Sequence, residues 1–147
     1  MRGTVPDRTV ADGYPRFMPT TRRTDASVED FIAAVPNARR RDDTVAAVRL
    51  IRDTIGEDPS MWGPSIIGFG DRPYRTADGR EHEWFAVGLS PRRQALTLYG
   101  LTADGSNGDL LDGLGPHTTG KGCLYIARLA DVDASVLTEL IARAWTS

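Results

Sequence analysis

The segment Gly115-Pro116-His117-Thr118-Thr119-Gly120-Lys121-Gly122 comes nearest to a known chemistry. Its two glycines and its lysine stand where a phosphate-binding loop of the form G-x-x-x-x-G-K-[ST] has them. Gly122 takes the place of the hydroxyl that would hold Mg²⁺. Such a loop also needs a strand before it and a helix after it, so that helix N-terminal amides face the phosphates. Here residues 109–114 read as a short helix and residues 123–126 as a strand. The order is reversed, so the segment reads as a structural turn, with some other anion or ligand contact as the alternative. Nucleotide hydrolysis dependent on Mg²⁺ is not expected.

Other residue constellations point to binding more than to catalysis. Cys123 has no nucleophile signature around it, and a buried cysteine is common. His82 and His117 are the two histidines, and neither stands at zinc-ligand spacing. In Glu81-His82-Glu83 an extended backbone sends the carboxylates one way and the imidazole the other. Glu29, Asp30, Asp42 and Asp43 could form an oxygen-ligand patch for a cation, or simply a solvated surface. The strands offer more. Gly68, Gly70, Gly88 and Gly100 fall on β-rich runs, where glycine often marks close approach by a ligand or another backbone. Trp62, Trp84, Tyr99 and Tyr125 could wall such a depression, the usual form of a small-molecule site. The candidate ligand-binding set is therefore Trp62, Trp84, Gly88, Tyr99, His117, Lys121 and Tyr125. The competing reading packs a helix over the glycines.

These residues must be positioned by the elements around them. Residues 1–20 are Pro- and Arg-rich without apolar periodicity and read as a flexible arm, with Met18 as a possible biological start. Residues 21–147 read as one domain. Ser27 and Asp30 resemble a capping box opening a first helix that ends before Pro36. A second helix spans residues 38–55, with Thr44, Val48, Ile51 and Ile55 on one stripe and Gly56 as its terminator. Residues 65–70, 84–90, 95–101 and 123–129 read as strands. Alternation puts Phe85, Val87 and Leu89 together in the core. Asp78-Gly79 signals a hairpin. Asp133 reads as the N-cap of a last helix burying Val136, Leu137, Leu140, Ile141 and Ala144. The expected fold is two-layer α+β. A mainly antiparallel sheet of about four or five strands packs with two N-terminal helices and one C-terminal helix.

Composition fits one ordinary domain. The chain has 147 residues, 40% hydrophobic and 26% charged, with a net charge of −2. That balance argues against a general nucleic-acid coat. The single cysteine excludes an internal disulfide. No apolar run approaches a membrane span and no secretory h-region is visible, so a soluble cytoplasmic protein is expected.

Three blocks, taken together, resemble the YdhG-like domain family of bacteria. They are Met61-Trp62-Gly63-Pro64-Ser65-Ile66-Ile67-Gly68-Phe69-Gly70, Trp84-Phe85-Ala86-Val87-Gly88-Leu89-Ser90-Pro91-Arg92 and His117-Thr118-Thr119-Gly120-Lys121-Gly122-Cys123-Leu124-Tyr125-Ile126. The resemblance covers about residues 20–147. It implies an α+β sheet layer and brings no catalytic residues with it. One branch of the family includes a frataxin-like bacterial iron chaperone, whose ligands do not map onto this chain residue by residue. The expected function is a non-catalytic domain binding a small ligand or a protein partner, with iron binding and delivery as the alternative.

Overall fold

Two capping side chains start the first two helices. Ser27 Oγ accepts the Asp30 amide at 3.0 Å and opens α1 (Val28–Ala33). Asn37 Oδ1 accepts the Arg40 amide at 2.9 Å and opens α2 (Ala38–Ile55), which Gly56 closes in the left-handed region. Such caps satisfy amides that a helix start leaves unpaired. In the computed structural model, residues 22–102, 107–120 and 122–146 are described. The arm at 1–20 and Lys121 lie outside them.

The strands form a seven-stranded antiparallel sheet. It runs β1 (Arg23–Thr24), β2 (Ser60–Trp62), β3 (Ile66–Phe69), β6 (Val87–Pro91), β7 (Leu96–Tyr99), β9 (Cys123–Ile126), β8 (Thr118–Gly120). A small hairpin of β4 (Tyr74–Arg75) and β5 (Glu81–His82) is inserted between β3 and β6. Helix α3 (Gly108–Asp112) precedes β8, and α4 (Ala134–Thr146) follows β9. The α+β class and antiparallel sheet agree with the sequence reading. The expected four or five strands do not, because β1, β2 and β8 are two or three residues long. Such runs are too short to show a period of two.

One face of the sheet, here called inner, carries Met61, Ile67, Phe69, Val87, Leu89, Leu98 and Leu124, none more than 2% exposed. The helices pack on this face. Thr44, Ala47, Val48 and Ile51 of α2 and Leu137, Leu140, Ile141 and Ala144 of α4 are buried there. Asp133 Oδ1 accepts the Ser135 and Val136 amides at 2.9 and 3.2 Å, which makes it the N-cap of α4 as expected.

Three polar ties close the layer. Arg40 Nη1 donates to Ala127 O at 3.1 Å, and Asp43 Oδ2 accepts the Leu129 amide at 3.0 Å. Arg72 donates to the carbonyls of Ala144 and Trp145 at 2.7 and 2.9 Å, satisfying the end of α4.

Alternation fails at one place. Phe85 does not share a face with Val87 and Leu89. Ala86 donates to Phe69 O at 2.9 Å while Phe69 registers with Val87, so two residues oppose one as in a β-bulge. Ala86 and Val87 both join the inner core, and Phe85 is sent to the other side. Gly100 makes room for this. Its φ is +94°, and a Cβ there would stand 2.5 Å from Ala86 O.

Candidate functional site

The outer face follows from the register. One row across the sheet is Ser60, Gly68, Gly88, Tyr99, Cys123, Gly120. The adjacent row carries Trp62, Ser90, Thr97, Tyr125 and Thr118. None of the helices α1 to α4 contributes to the apolar cluster on this side, which consists of Trp62, Ile66 and Phe85 with Trp84 and Tyr99 against them.

Gly68 and Gly88 are covered by rings of their own sheet face, whereas Gly70 lies under Trp145 of α4, where a Cβ would meet the ring at 2.5 Å. A Cβ on Gly68 would meet Trp62 Cδ1 at 2.5 Å, and one on Gly88 would meet Phe85 Cε1 at 2.5 Å. Each glycine lies under an aromatic ring of the chain itself. Trp62 and Phe85 meet edge to face at 5.6 Å, and Trp84 stacks on Phe85 at 4.4 Å. Tyr99 meets Phe85 edge-on at 6.0 Å. The Arg23 guanidinium stands 5.1 Å from the Trp62 ring centre and pairs with Asp71. Edge-to-face and offset-stacked geometries are the favourable ones for aromatic pairs.

The predicted residues therefore divide. Trp62 is wholly buried, and Gly88 lies beneath Phe85. Trp84, Tyr99 and Tyr125 share the outer face and are half-buried. His117 precedes β8, is half-buried, and its Nδ1 lies 2.7 Å from Gly115 O. A carbonyl only accepts, so that nitrogen carries the proton. β8 ends at Gly120 and β9 begins at Cys123, so a strand and not a helix start follows the described part of the segment around His117. It thus lacks the amide cradle of a phosphate loop.

Two groups at this surface, Arg92 and Thr97, escaped the sequence reading. Arg92, exposed just beyond β6, donates from Nη2 to Tyr99 Oη at 3.0 Å. Tyr125 follows Cys123 by two residues on the same face of β9, and its interaction with that thiol, with a smaller part from burial, raises the Tyr125 phenol above its ordinary pKa. Thr97 is 1% exposed, registers against Tyr125, and its hydroxyl has no hydrogen-bond partner. In the sequence, Pro91-Arg92-Arg93 is a turn signal. Nothing in a linear sequence ties Arg92 to Tyr99.

The proposed carboxylate patch is not assembled. Asp43 is taken up by the Leu129 amide. Among the described residues no group of three or more His, Cys, Asp or Glu side chains converges as a metal site would require. His82 stacks on Tyr74 at 5.1 Å, with its Nε2 3.3 Å from Thr76 Oγ1. A groove of about 910 Å³ runs between α1 and α2, lined by Asp25, Glu29, Ile32, Arg41, Asp42, Val45 and Arg49 among others. A smaller depression of about 390 Å³ includes Phe31, Pro36, Ser90 and Arg92. Neither is lined by the predicted ligand residues. No helix among the described residues is long and apolar enough to cross a membrane.

Comparison with protein-family models, with curated proteins and with solved structures gives no match for this chain.

Proposed function

We propose that this chain is a non-catalytic binding domain for a small ligand, of the YdhG-like kind that its three sequence blocks resemble. Its recognition surface is the outer sheet face around Trp84, Tyr99 and Tyr125. One observation carries the reading. These three large aromatic side chains stay half-exposed on a face to which the described helices add no apolar cover. Aromatic surface left beside polar groups is the usual make-up of a ligand site. The three blocks support it as well. They supply β2–β3, the approach to β6 with β6 itself, and β8–β9, and so contribute Trp84, Arg92, Cys123 and Tyr125 to one surface. A folded protein partner is the competing occupant.

Native mass spectrometry of the protein purified from its own host tests this. The expected result is a retained small molecule, released on denaturation and lost from a Tyr99→Ala, Tyr125→Ala variant that still folds. A bare chain, together with no thermal shift across a metabolite library, would sink the proposal. A retained protein in place of a small molecule would transfer the surface to the partner reading.

A further inference from the structure

We infer that the outer face takes an anionic ligand, a flat aromatic ring bearing a carboxylate, and that Arg92 with the hydroxyls of Tyr99 and Tyr125 holds the carboxylate. This rests on the binding reading above and adds the ligand's chemical class. Arg92 is steadied at the face by its 3.0 Å bond to Tyr99 Oη. A guanidinium has five N–H donors in a planar fork that matches a carboxylate, so one such bond leaves others facing outward. Tyr125 is held in place by contact with β8, where a Cβ on Gly120 would stand 2.9 Å from Tyr125 Oη. Thr97, buried directly across from Tyr125, adds an unpartnered hydroxyl beneath the cluster.

Charge complementarity selects the sign of the ligand. The chain as a whole carries −2. Yet the outward strand positions Arg23, Ser60, Trp62, Gly68, Gly88, Ser90, Thr97, Tyr99, Cys123, Tyr125 and Thr118 include no carboxylate. A surface cluster of donors whose outward strand neighbours carry no carboxylate favours an anion. The half-exposed rings of Tyr99 and Trp84 offer the ligand's ring an edge or a face.

The test is an NMR titration of the amide signals of the full chain with three probes: 2-naphthoate, its uncharged analogue 2-naphthamide, and inorganic phosphate. 2-Naphthoate should shift Thr97, Tyr99, Cys123 and Tyr125 saturably, and bind about tenfold tighter than the amide, as a charge-assisted contact requires. Arg92→Gln and Tyr125→Phe should each weaken 2-naphthoate by roughly that factor without changing the melting temperature. Arg92→Lys should recover only part of the loss, because the fork is gone. Equal affinity for acid and amide overturns the anion assignment while leaving a binding domain. Phosphate matching 2-naphthoate overturns the aromatic part. Silence of the outer face to all three, with a bare chain in the native mass spectrum, removes both this inference and the reading beneath it.

Discussion

The two faces of this sheet solve burial in different ways. The inner face is aliphatic, with Ile67, Val87, Leu89, Leu96 and Leu124 at 0% exposure under α2 and α4. Its cover comes from elements distant in sequence. The outer face covers itself. Trp62 and Phe85 fold back over Gly68 and Gly88, and the missing side chains of the glycines make the room. The first device spends whole helices on stability. The second needs only local rings, and it stops short of β9 and β8, so Tyr99 at the end of β7 and Cys123 and Tyr125 on β9 stay half-exposed. A self-covered face can therefore end in an open surface, which a helix-covered face cannot.

This contrast can be broken most directly by truncating one residue on each side of β9. Leu124→Ala removes a wholly buried inner side chain and should cost about 2–5 kcal/mol, read by denaturant unfolding. Tyr125→Ala, its outward neighbour, should cost clearly less while abolishing ligand retention. Comparable losses of stability would mean that the outer face is as structural as the inner.

Gly88→Ala probes the self-covering device itself. The added methyl collides with the Phe85 ring, so about 1–3 kcal/mol of overpacking is expected. In a Phe85→Ala background that penalty should vanish, because the colliding ring is absent. Additive effects in the double-mutant cycle would show that the two residues do not share the space.

The smallest effect concerns the inner cover. The Asp133 carboxyl is held below its usual range, first by the Ser135 hydroxyl and then by the Val136 and Ser135 amides. A depressed carboxylate stabilises the fold above its unfolded pKa of about 3.9 and loses that contribution as pH falls through the lower folded value. Asp133→Ala should therefore lower the melting temperature slightly at pH 7, and the gap should narrow below about pH 4. A gap that stays constant across that range would remove the charge from the account and leave only the cap's geometry.

Legibility in the sequence followed the length of the signal. Helix α2 could be bounded to the residue because an eighteen-residue stripe lies between Pro36-Asn37 and Gly56. Asp133 announced α4 in the same way. The two-residue pairing of Arg23 and Thr24 with β2 had no such signal, since its cause is the neighbouring strand. Phe85 was misplaced because strict alternation has no means of foreseeing the bulge at Ala86. The glycine-bearing aromatic face was legible as a type of surface. What fills it was not, because a ring folding back on its own strand neighbour leaves no periodic trace. Arg92 was invisible as a site residue for a related reason. Its partner Tyr99 is seven residues away across a turn, and turn residues are read for conformation before chemistry.

The tie between Asp43 and the Leu129 amide has a consequence for how the protein is made. The two residues are 86 positions apart. At roughly 5–20 residues per second of translation, the second follows the first from the ribosome after an interval on the order of 4–17 s. The helix carrying Asp43 ends at Ile55 and is complete early in that interval. Its apolar stripe, Val48 and Ile51 included, then waits for the C-terminal helix that covers it in the finished protein. The species most exposed to aggregation is thus the nascent chain, and a holding chaperone would act on it during that window, before the final helix has been synthesised.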